Sequence, residues 1–361
     1  MKILSRLLLF FMFSCPLLAQ DDVEVVNIEN PAVQAYMADN TYETTDDYDV
    51  TVVADYADRE RFGRDLDRPR GKWVEWSPIA DVDSLTRVRI LLSIYRDFHE
   101  STVHYPPNAS VTSYQLVNLF PDRLYYYRAE HLQGDSLVAV LAQGHFRTEG
   151  QVRMIWVDGA HNVRDIGGWP TQFGVPIRYG ALYRSGTMDR VTPTGSHEFV
   201  TNLGVGAELD LRAESRLTSS PLGKEVSFTR IITDSYTGAV SSRRHEYVSD
   251  LRWIIRQLRR GKAVNWHCAV GCDRCGTLTF LIEGLLGVGE ADLCRDYELS
   301  TFRGHKRWRS HKGFRTMLPW IRNYGATDDL AECFYRYWRD GGVSEDDLDF
   351  FRSYMLDYQM P

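Results

Sequence analysis

Two patterns of hydrophobic and polar residues divide the chain near Gly150. Between residues 66 and 150, the pattern is alternating and rich in turn residues, with short runs such as the alternating Arg87–Leu92 and the apolar Leu137–Leu141. This alternation predicts β-strands. After Gly150, short apolar runs alternate with longer stretches of helical period, which is typical of an α/β layer structure. We therefore predict a multidomain chain, with an all-β sandwich over 66–150 and an α/β domain with extra C-terminal helices over 151–361.

The second part of the chain contains the clearest individual elements. Short apolar runs at Ala207–Leu211 and Ala263–Trp266 predict buried strands. Periodic patterns predict helices over 192–203 and 241–260, and residues 288–358 are predicted to be mostly helical.

The first 19 residues have the pattern of a bacterial-type secretory signal peptide. Lys2 and Arg6 precede a compact apolar run, Leu7–Phe13, and a small residue, Ala19, stands at the expected cleavage position. We therefore expect export to the periplasm or the extracellular space. A lipid anchor on Cys15 is the alternative. No second apolar run is long enough to span a bilayer, so no transmembrane segment is expected.

Composition and charge limit the classes of function. The chain has 361 residues, of which 43% are hydrophobic and 25% charged, as in an ordinary globular protein. Its net charge of -7 provides no general positive field, so a nucleic-acid partner is not expected and any anion site must be local. Residues 20–65 are acidic with little periodicity, and we predict an irregular N-terminal segment there.

One motif suggests the kind of sandwich. Leu119, Pro121 and Tyr125 have the spacing Leu-x-Pro-x-x-x-Tyr. The segment resembles fibronectin type III domains, in which this tyrosine hydroxyl ties a strand corner to nearby backbone. The resemblance implies a fibronectin type III-like fold over 66–150. No catalytic constellation occurs there, and such a domain could contact a protein or a glycan.

The candidate chemistry lies at Cys268 and Arg274. A predicted strand leads into this segment and an apolar helical pattern follows it, so backbone N–H groups and the helix dipole should bind a tetrahedral oxyanion. The same environment should lower the pKa of Cys268 and make it nucleophilic, while Arg274 can grip two phosphate oxygens. The other residues of this predicted phosphate-binding loop are His267, Ala269, Val270, Gly271, Cys272, Cys275 and Gly276.

The Cys-x5-Arg spacing resembles cysteine-dependent protein tyrosine phosphatases. Four further blocks resemble a bacterial branch of that family, which includes secreted enzymes acting on phosphotyrosine, phosphoserine/threonine and phosphoinositides. The blocks follow the family's order over about 155–301 and are His161–Gly168 (with Asn-x-Arg-Asp-x-Gly-Gly), Gly180–Gly186, Asp210–Glu214 and Asp296–Ser300.

The resemblance implies a phosphomonoester phosphatase that forms a phosphocysteine and needs no metal or cofactor. Cys268 would be the nucleophile and Arg274 the phosphate ligand, with Asp273 or Asp210 as general acid and base. A buried hydrogen-bonding role is the alternative for Asp210. Candidate substrate contacts are Asn162, Arg164, Asp165, Arg184 and Arg212, although Arg164 and Asp165 could instead form a structural turn. The expected partner is a phosphorylated substrate, either a phosphotyrosine peptide or an inositol phosphate.

Two residues depart from the family pattern. Cys272 replaces a lysine, which removes a charge associated with phosphoinositide preference, and Cys275 replaces a threonine that normally donates to the cysteine thiolate. The alternatives are therefore an inositol phosphate or phosphoinositide phosphatase, a phosphate-binding pseudophosphatase or, more remotely, an iron–sulfur or redox protein.

The extra thiols and a downstream basic run leave two further questions. A reversible disulfide could join Cys268 to Cys272 or Cys275. The basic run 303–312 is interpreted either as a cationic rim that recruits a polyanionic substrate or as a solvated helix face.

Overall fold

A computed structural model describes residues 23–41, 52–63, 65–303 and 309–356. The predicted signal peptide and Cys15 lie outside these residues, as do residues 304–308 of the basic run. Export and lipid anchoring therefore stay predictions.

Two β-sheets enclose a common core in the N-terminal half. A five-stranded sheet has the order β1-β7-β6-β3-β4, and a separate pair joins β2 to β5. Val74, Ile90 and Phe146 are among the residues buried between them. The strands are β1 (Val25–Asn27), β2 (Lys72–Glu75), β3 (Thr86–Ser93), β4 (Thr102–His104), β5 (Ser113–Leu116), β6 (Leu124–Gln133) and β7 (Ser136–Glu149).

The predicted hydrogen bond of the Leu-x-Pro-x-x-x-Tyr motif is present. The hydroxyl of Tyr125, on β6, accepts from the backbone N–H of Phe120 at 3.0 Å. The Tyr125 ring stacks on Phe146, with 5.5 Å between ring centroids. Tyr125 therefore ties the turn before β6 to the sandwich core.

A six-stranded sheet forms the centre of the C-terminal half, with the order β12-β11-β13-β10-β9-β8. Four neighbouring strands of this sheet are parallel: β12, β11, β13 and β10. Strand β9 pairs antiparallel with β10, and β8 pairs antiparallel with β9. The predicted buried strands are confirmed in β11 and β13. The bounds are β8 (Met154–Ile155), β9 (Val163–Asp165), β10 (Leu182–Ser185), β11 (Val205–Asp210), β12 (Ser227–Arg230) and β13 (Ala263–His267).

The register of this sheet positions the site. His267, the last residue of β13, is opposite Asp210 on one side and Ser185 on the other. Because the carboxyl ends of parallel strands meet at one edge, the segments that follow these strands gather around Cys268.

Helices pack on this sheet and complete the C-terminal half. The helix over Asp273–Leu285 follows Cys268 and is buried almost all round, as the apolar pattern predicts. None of the described helices is long and apolar enough to span a membrane. They are α1 (Pro31–Met37), α2 (Val53–Tyr56), α3 (Arg59–Phe62), α4 (Pro193–His197, continued by a π-helical turn over Glu198–Asn202), α5 (Thr237–Val240), α6 (Arg244–Leu258), α7 (Asp273–Leu285), α8 (Glu290–Leu299), α9 (Lys312–Arg315), α10 (Leu318–Arg322), α11 (Leu330–Asp340) and α12 (Glu345–Leu356).

The segment predicted to be irregular contains regular structure. Asn30 caps α1 by accepting from the N–H of Ala32 at 3.0 Å, and Val33 and Tyr36 pack into the core of the α/β half. The Tyr36 hydroxyl donates to Glu298 at 2.9 Å. A seven-residue helix is too short to produce a clear periodic pattern, so this sequence did not predict it.

Candidate active site

The loop from Cys268 to Arg274 curls around the Cys268 sulfur. The N–H of Gly271 lies 3.2 Å from Cys268 Sγ, and the N–H groups of Val270 and Cys275 also donate to it. Gly271 has φ +72°, and a Cβ there would lie 2.7 Å from the backbone nitrogen of Gly186. The close backbone approach therefore needs glycine at this position.

Cys268 has the environment of a thiolate. The largest influence on the pKa of Cys268 is the Cys275 thiol, which donates a hydrogen bond to the Cys268 sulfur. Burial acts to raise this pKa. The Cys275 bond, the backbone donors and the Arg274 charge outweigh burial and hold the pKa well below its usual range. Burial, the largest influence on Cys275, raises the pKa of that thiol. Cys275 therefore stays protonated as a donor, and its hydrogen bond favours the thiolate form of Cys268.

Arg274 lies beside this sulfur at the start of α7. Its Nη1 donates to the Leu211 carbonyl at 3.2 Å, and the side chain is half-buried. This single backbone bond leaves most of the guanidinium donors of Arg274 for a bound phosphate.

Four buried residues behind the loop, Asn162, Arg164, Arg184 and Asp296, form what we name the loop-support network. Arg184 donates to the carbonyl oxygens of Gly271 (2.9 Å) and Cys272 (3.2 Å), and to Asp296 at 2.7 Å. Arg164 binds the other oxygen of Asp296 at 3.0 Å. Asn162 donates to the Val270 carbonyl at 3.1 Å.

Asp296 is the shared anion of this network. Burial acts to raise its pKa, but the charges of Arg164 and Arg184 are stronger and hold the pKa below its usual value. One carboxylate therefore fixes two guanidinium groups, and Arg184 in turn fixes the loop backbone.

The structure places the five candidate substrate contacts, Asn162, Arg164, Asp165, Arg184 and Arg212, inside the protein. None of the five is more than 5% exposed. Asp165 pairs with Arg153 at 2.9 Å, and Arg212 pairs with Asp210 and Asp189. Because they are covered and bonded to protein groups, we correct the interpretation: the structure places these residues in supporting contacts around the site and not on a surface open to a substrate.

Asp210 is fully buried at the end of β11. Its Oδ1 accepts from the backbone N–H (3.0 Å) and Nε (2.9 Å) of Arg212. Burial acts to raise its pKa, but the bonds from Arg212 and the nearby His267 lower it overall. A covered, ionised carboxylate has no proton to give, so the geometry favours the buried hydrogen-bonding role for Asp210.

His267 lies beneath the loop. Its Nε2 is 2.9 Å from Glu208 Oε1, and both side chains are buried. This buried contact gives His267 a supporting position beneath the loop.

Asp273 lies at the rim and accepts from three groups. Its Oδ1 is 2.6 Å from the hydroxyl of Tyr236, 3.0 Å from that of Tyr297 and 3.1 Å from Nη1 of Arg309. Burial, the largest cause in both tyrosines, raises the pKa of Tyr236 and Tyr297, so both stay protonated donors. We name these four residues the Asp273 cluster.

Tyr236 was not predicted from the sequence. It lies on the loop after β12, 32 residues before Cys268, in no recognisable motif. Its φ is +57°, which is uncommon for a bulky side chain and indicates backbone strain. The sequence offered one indication that Tyr236 lies near the site, which is the position of its loop after a strand, at the carboxyl edge of the sheet.

The two additional cysteines have different surroundings. Cys275 contacts Cys268, whereas Cys272 Sγ lies 3.5 Å from the Val270 carbonyl and 3.7 Å from Nδ2 of Asn162. Within the described ranges, no group of three or more potential metal ligands is found.

Comparison with known families assigns this arrangement. The model of the tyrosine phosphatase family matches residues 155–356, which is more than half of the chain. The chain belongs to the tyrosine phosphatase family. This phosphatase is therefore a cysteine-dependent enzyme that hydrolyses phosphoric monoesters.

Solved structures with similarity to the phosphatase include the following two. The catalytic core of the PP-IP phosphatase Siw14 from S. cerevisiae has 16% identity and a TM-score of 0.29, covering 38% of this chain and 82% of that one. P. aeruginosa TpbA has 18% identity and a TM-score of 0.27, covering 51% and 94%. No curated protein matches the chain.

Proposed function

We propose that Cys268 attacks the phosphorus of a phosphomonoester while Arg274 and the loop N–H groups bind the phosphate oxygens. The sulfur–phosphorus bond forms as the ester oxygen–phosphorus bond breaks. The observation that supports this proposal is the set of donors around Cys268, which stabilises a thiolate inside an anion-binding loop.

Proton transfer is proposed for Asp273. It would donate a proton to the leaving oxygen and then take one from the water that attacks the phosphocysteine. The support is its position on the first turn of α7, next to Arg274, and its partial exposure, neither of which Asp210 shares. Breakdown returns the electron pair to Cys268, where Cys275 donates to the released thiolate.

The alternative is a pseudophosphatase that binds phosphate without turnover. The two functions differ in hydrolysis of para-nitrophenyl phosphate by the reduced protein. We expect hydrolysis by the wild type and a loss of about 10³-fold or more in Cys268→Ser. An inactive reduced wild type contradicts the enzyme, and full activity in Cys268→Ser contradicts the mechanism.

We also propose that this is an exported bacterial enzyme, processed after Ala19, with a fibronectin type III-like domain before the catalytic domain. The N-terminal sequence pattern supports the first part. The bond between Phe120 N–H and the Tyr125 hydroxyl supports the second. Sequencing the N-terminus of protein recovered outside the cytoplasm tests export: Gln20 is expected, and Met1 contradicts it.

A further inference from the structure

One peptide of the phosphate-binding loop, which joins Val270 to Gly271, has an N–H group that faces Cys268. This N–H lies 3.2 Å from the Cys268 sulfur. Because a trans peptide is planar, its carbonyl oxygen points the opposite way, out of the loop. Gly271 has φ +72° and no Cβ, so no side chain of its own opposes a rotation that would turn the carbonyl toward a bound anion. The loop therefore needs contacts that hold the Val270 carbonyl outward.

Two side chains hold that carbonyl outward. Asn162 Nδ2 donates to the Val270 oxygen at 3.1 Å, and Arg303 Nη1 donates to it at 2.5 Å. Asn162 precedes β9 and Arg303 follows α8, so the two donors come from separate parts of the C-terminal half. Arg303, the first residue of the basic run, is thus held at the loop by a specific contact and does not belong to a freely solvated helix face.

Asp67 contacts both of these donors. Its carboxylate accepts from the backbone N–H of Asn162 and lies close enough to Arg303 for the two charges to attract each other. Asn162 has φ +52°, which is uncommon for a residue other than glycine, and the bond from its N–H to Asp67 stabilises this conformation. One carboxylate therefore restrains both residues that hold the Val270 carbonyl.

Asp67 comes from a part of the chain outside residues 155–356, which the family model matches. Its neighbour Leu66 is only 1% exposed and packs in the core of the α/β half. Asn30 Nδ2 donates to the Asp65 carbonyl at 3.1 Å and fixes the backbone just before it. Asp67 is therefore anchored at the loop, although most of the β-sandwich separates it from the C-terminal half in sequence.

We propose that Asp67 is a positioning residue for the phosphate-binding loop: through Asn162 and Arg303, it keeps the Gly271 N–H turned toward Cys268. The proposal rests on the phosphatase function of this loop and adds to it a residue from outside the family-matched part of the chain. Without Asp67, the peptide is freer to turn over, so the thiolate and a bound phosphate each lose one backbone donor.

Titration of Cys268 in the reduced full-length protein tests this proposal without requiring turnover. In Asp67→Ala, we expect the pKa of Cys268 to rise, with the acid dissociation constant of the thiol falling about three- to tenfold. Loss of a negative charge by itself would lower this pKa, so the sign of the change separates positioning from direct electrostatics. An unchanged or lowered pKa overturns the proposal.

Two variants of the same segment make the titration specific. Asp67→Asn keeps an oxygen that can accept from the Asn162 N–H, so it should recover part of the change. Asp65→Ala is the matched control, because this exposed side chain lies two residues away, and it should leave the titration as in wild type. A residue that only stabilises the fold would lower the free energy of unfolding without moving the titration of the folded protein. An equal shift in Asp65→Ala overturns the proposal.

A double-variant cycle tests the route through Arg303. Arg303→Gln should also raise the pKa of Cys268, because it frees the same carbonyl. Together with Asp67→Ala it should raise the pKa by less than the sum of the two single changes, since both variants act on one peptide. Strictly additive changes contradict the proposed route.

Phosphate binding separates this proposal from the phosphatase function. In Cys268→Ser, calorimetry with inorganic phosphate should show an affinity that falls about three- to tenfold when Asp67 is replaced by alanine. A wild type that hydrolyses para-nitrophenyl phosphate, with equal phosphate affinity in the two proteins, overturns the role of Asp67 and leaves the phosphatase function standing. A wild type without hydrolysis, in which the affinity and the titration still change, overturns the phosphatase function and supports the role of Asp67.

Discussion

The loop-support network and the Asp273 cluster both contact the same loop, but they are built differently. In the network, Arg164 and Arg184 share one carboxylate and are fully buried. In the cluster, Asp273 and Arg309 are about one-third exposed and join residues from three separate loops and helices. Buried charges tolerate little change, because an unpaired buried charge is costly, whereas partly exposed charges can be replaced with a smaller loss of stability.

This difference suggests a division of labour. The network fixes the backbone donors that bind phosphate, so it should decide whether the enzyme folds and works at all. The Asp273 cluster faces the rim, so it should adjust rate and selectivity. Variants in the two regions should therefore differ in the size and kind of their effects.

Asp296→Asn should produce the largest effect. Two buried guanidinium groups lose their shared anion, and we expect a loss of about 3–5 kcal/mol in the free energy of unfolding together with loss of activity. Urea denaturation measures it. The matched control is Asp346→Asn, whose exposed side chain on α12 pairs with Arg259, and a change below about 1 kcal/mol is expected there. Equal stability of the two variants would contradict the claim that the buried loop-support network is more sensitive to loss of a charge than an exposed ion pair.

Peroxide should inactivate the enzyme reversibly through Cys275. Peroxide oxidises the Cys268 thiolate to a sulfenic acid and is itself reduced to water. The Cys275 sulfur then attacks the sulfenic sulfur to form a disulfide, and its thiol proton leaves with the displaced hydroxide as water. A dithiol reduces this disulfide. Cys275 is the expected partner because it contacts Cys268. Mass spectrometry of non-reduced peptides should show this link in Cys272→Ser and not in Cys275→Ser. Three free thiols after peroxide treatment would rule out the switch.

Replacing Cys275 should shift the titration of Cys268. Cys275→Ala removes the largest influence that lowers this pKa, so the pKa rises and the thiolate appears only at higher pH. Cys275→Thr returns a hydroxyl donor and should move the pKa back down. The ultraviolet absorbance of the thiolate, taken as a difference from Cys268→Ser, reports the shift. Identical titrations of the alanine and threonine variants would show that a donor at residue 275 does not lower the pKa of Cys268.

Tyr236→Phe should have the smallest effect. It deletes one of three donors to Asp273, and we expect kcat to fall about two- to tenfold with stability little changed. Tyr335→Phe is a suitable comparison, since the Tyr335 hydroxyl on α11 donates to Asp349 on α12 at the protein surface. An unchanged pH profile and kcat in Tyr236→Phe would show that the Asp273 cluster does not influence proton transfer.

The phosphate-binding loop and the Asp273 cluster also differ in how far the sequence could predict them. Cys268, Arg274 and the strand and helix around them are contiguous, so local pattern was sufficient. Tyr236 reaches Asp273 only through the sheet topology, which no local pattern encodes.

Two other features could not be predicted from the sequence: the burial of charged residues and the presence of short helices. Arg164 is a plausible phosphate ligand in a motif, and only the packed structure places it against Asp296 and away from solvent. Helix α1 escaped prediction because its seven residues are stabilised by packing of Tyr36, not by a periodic pattern.

The central claim is a covalent phosphocysteine at Cys268, and acid quenching of the reduced enzyme during turnover tests it most directly. Mass spectrometry of the quenched peptides should find phosphate on the peptide that contains Cys268, in wild type and in Cys333→Ser, and none in Cys268→Ser. Hydrolysis of the substrate by wild type with phosphate on another residue, or with no phosphoenzyme detectable under rapid quench, would contradict the account.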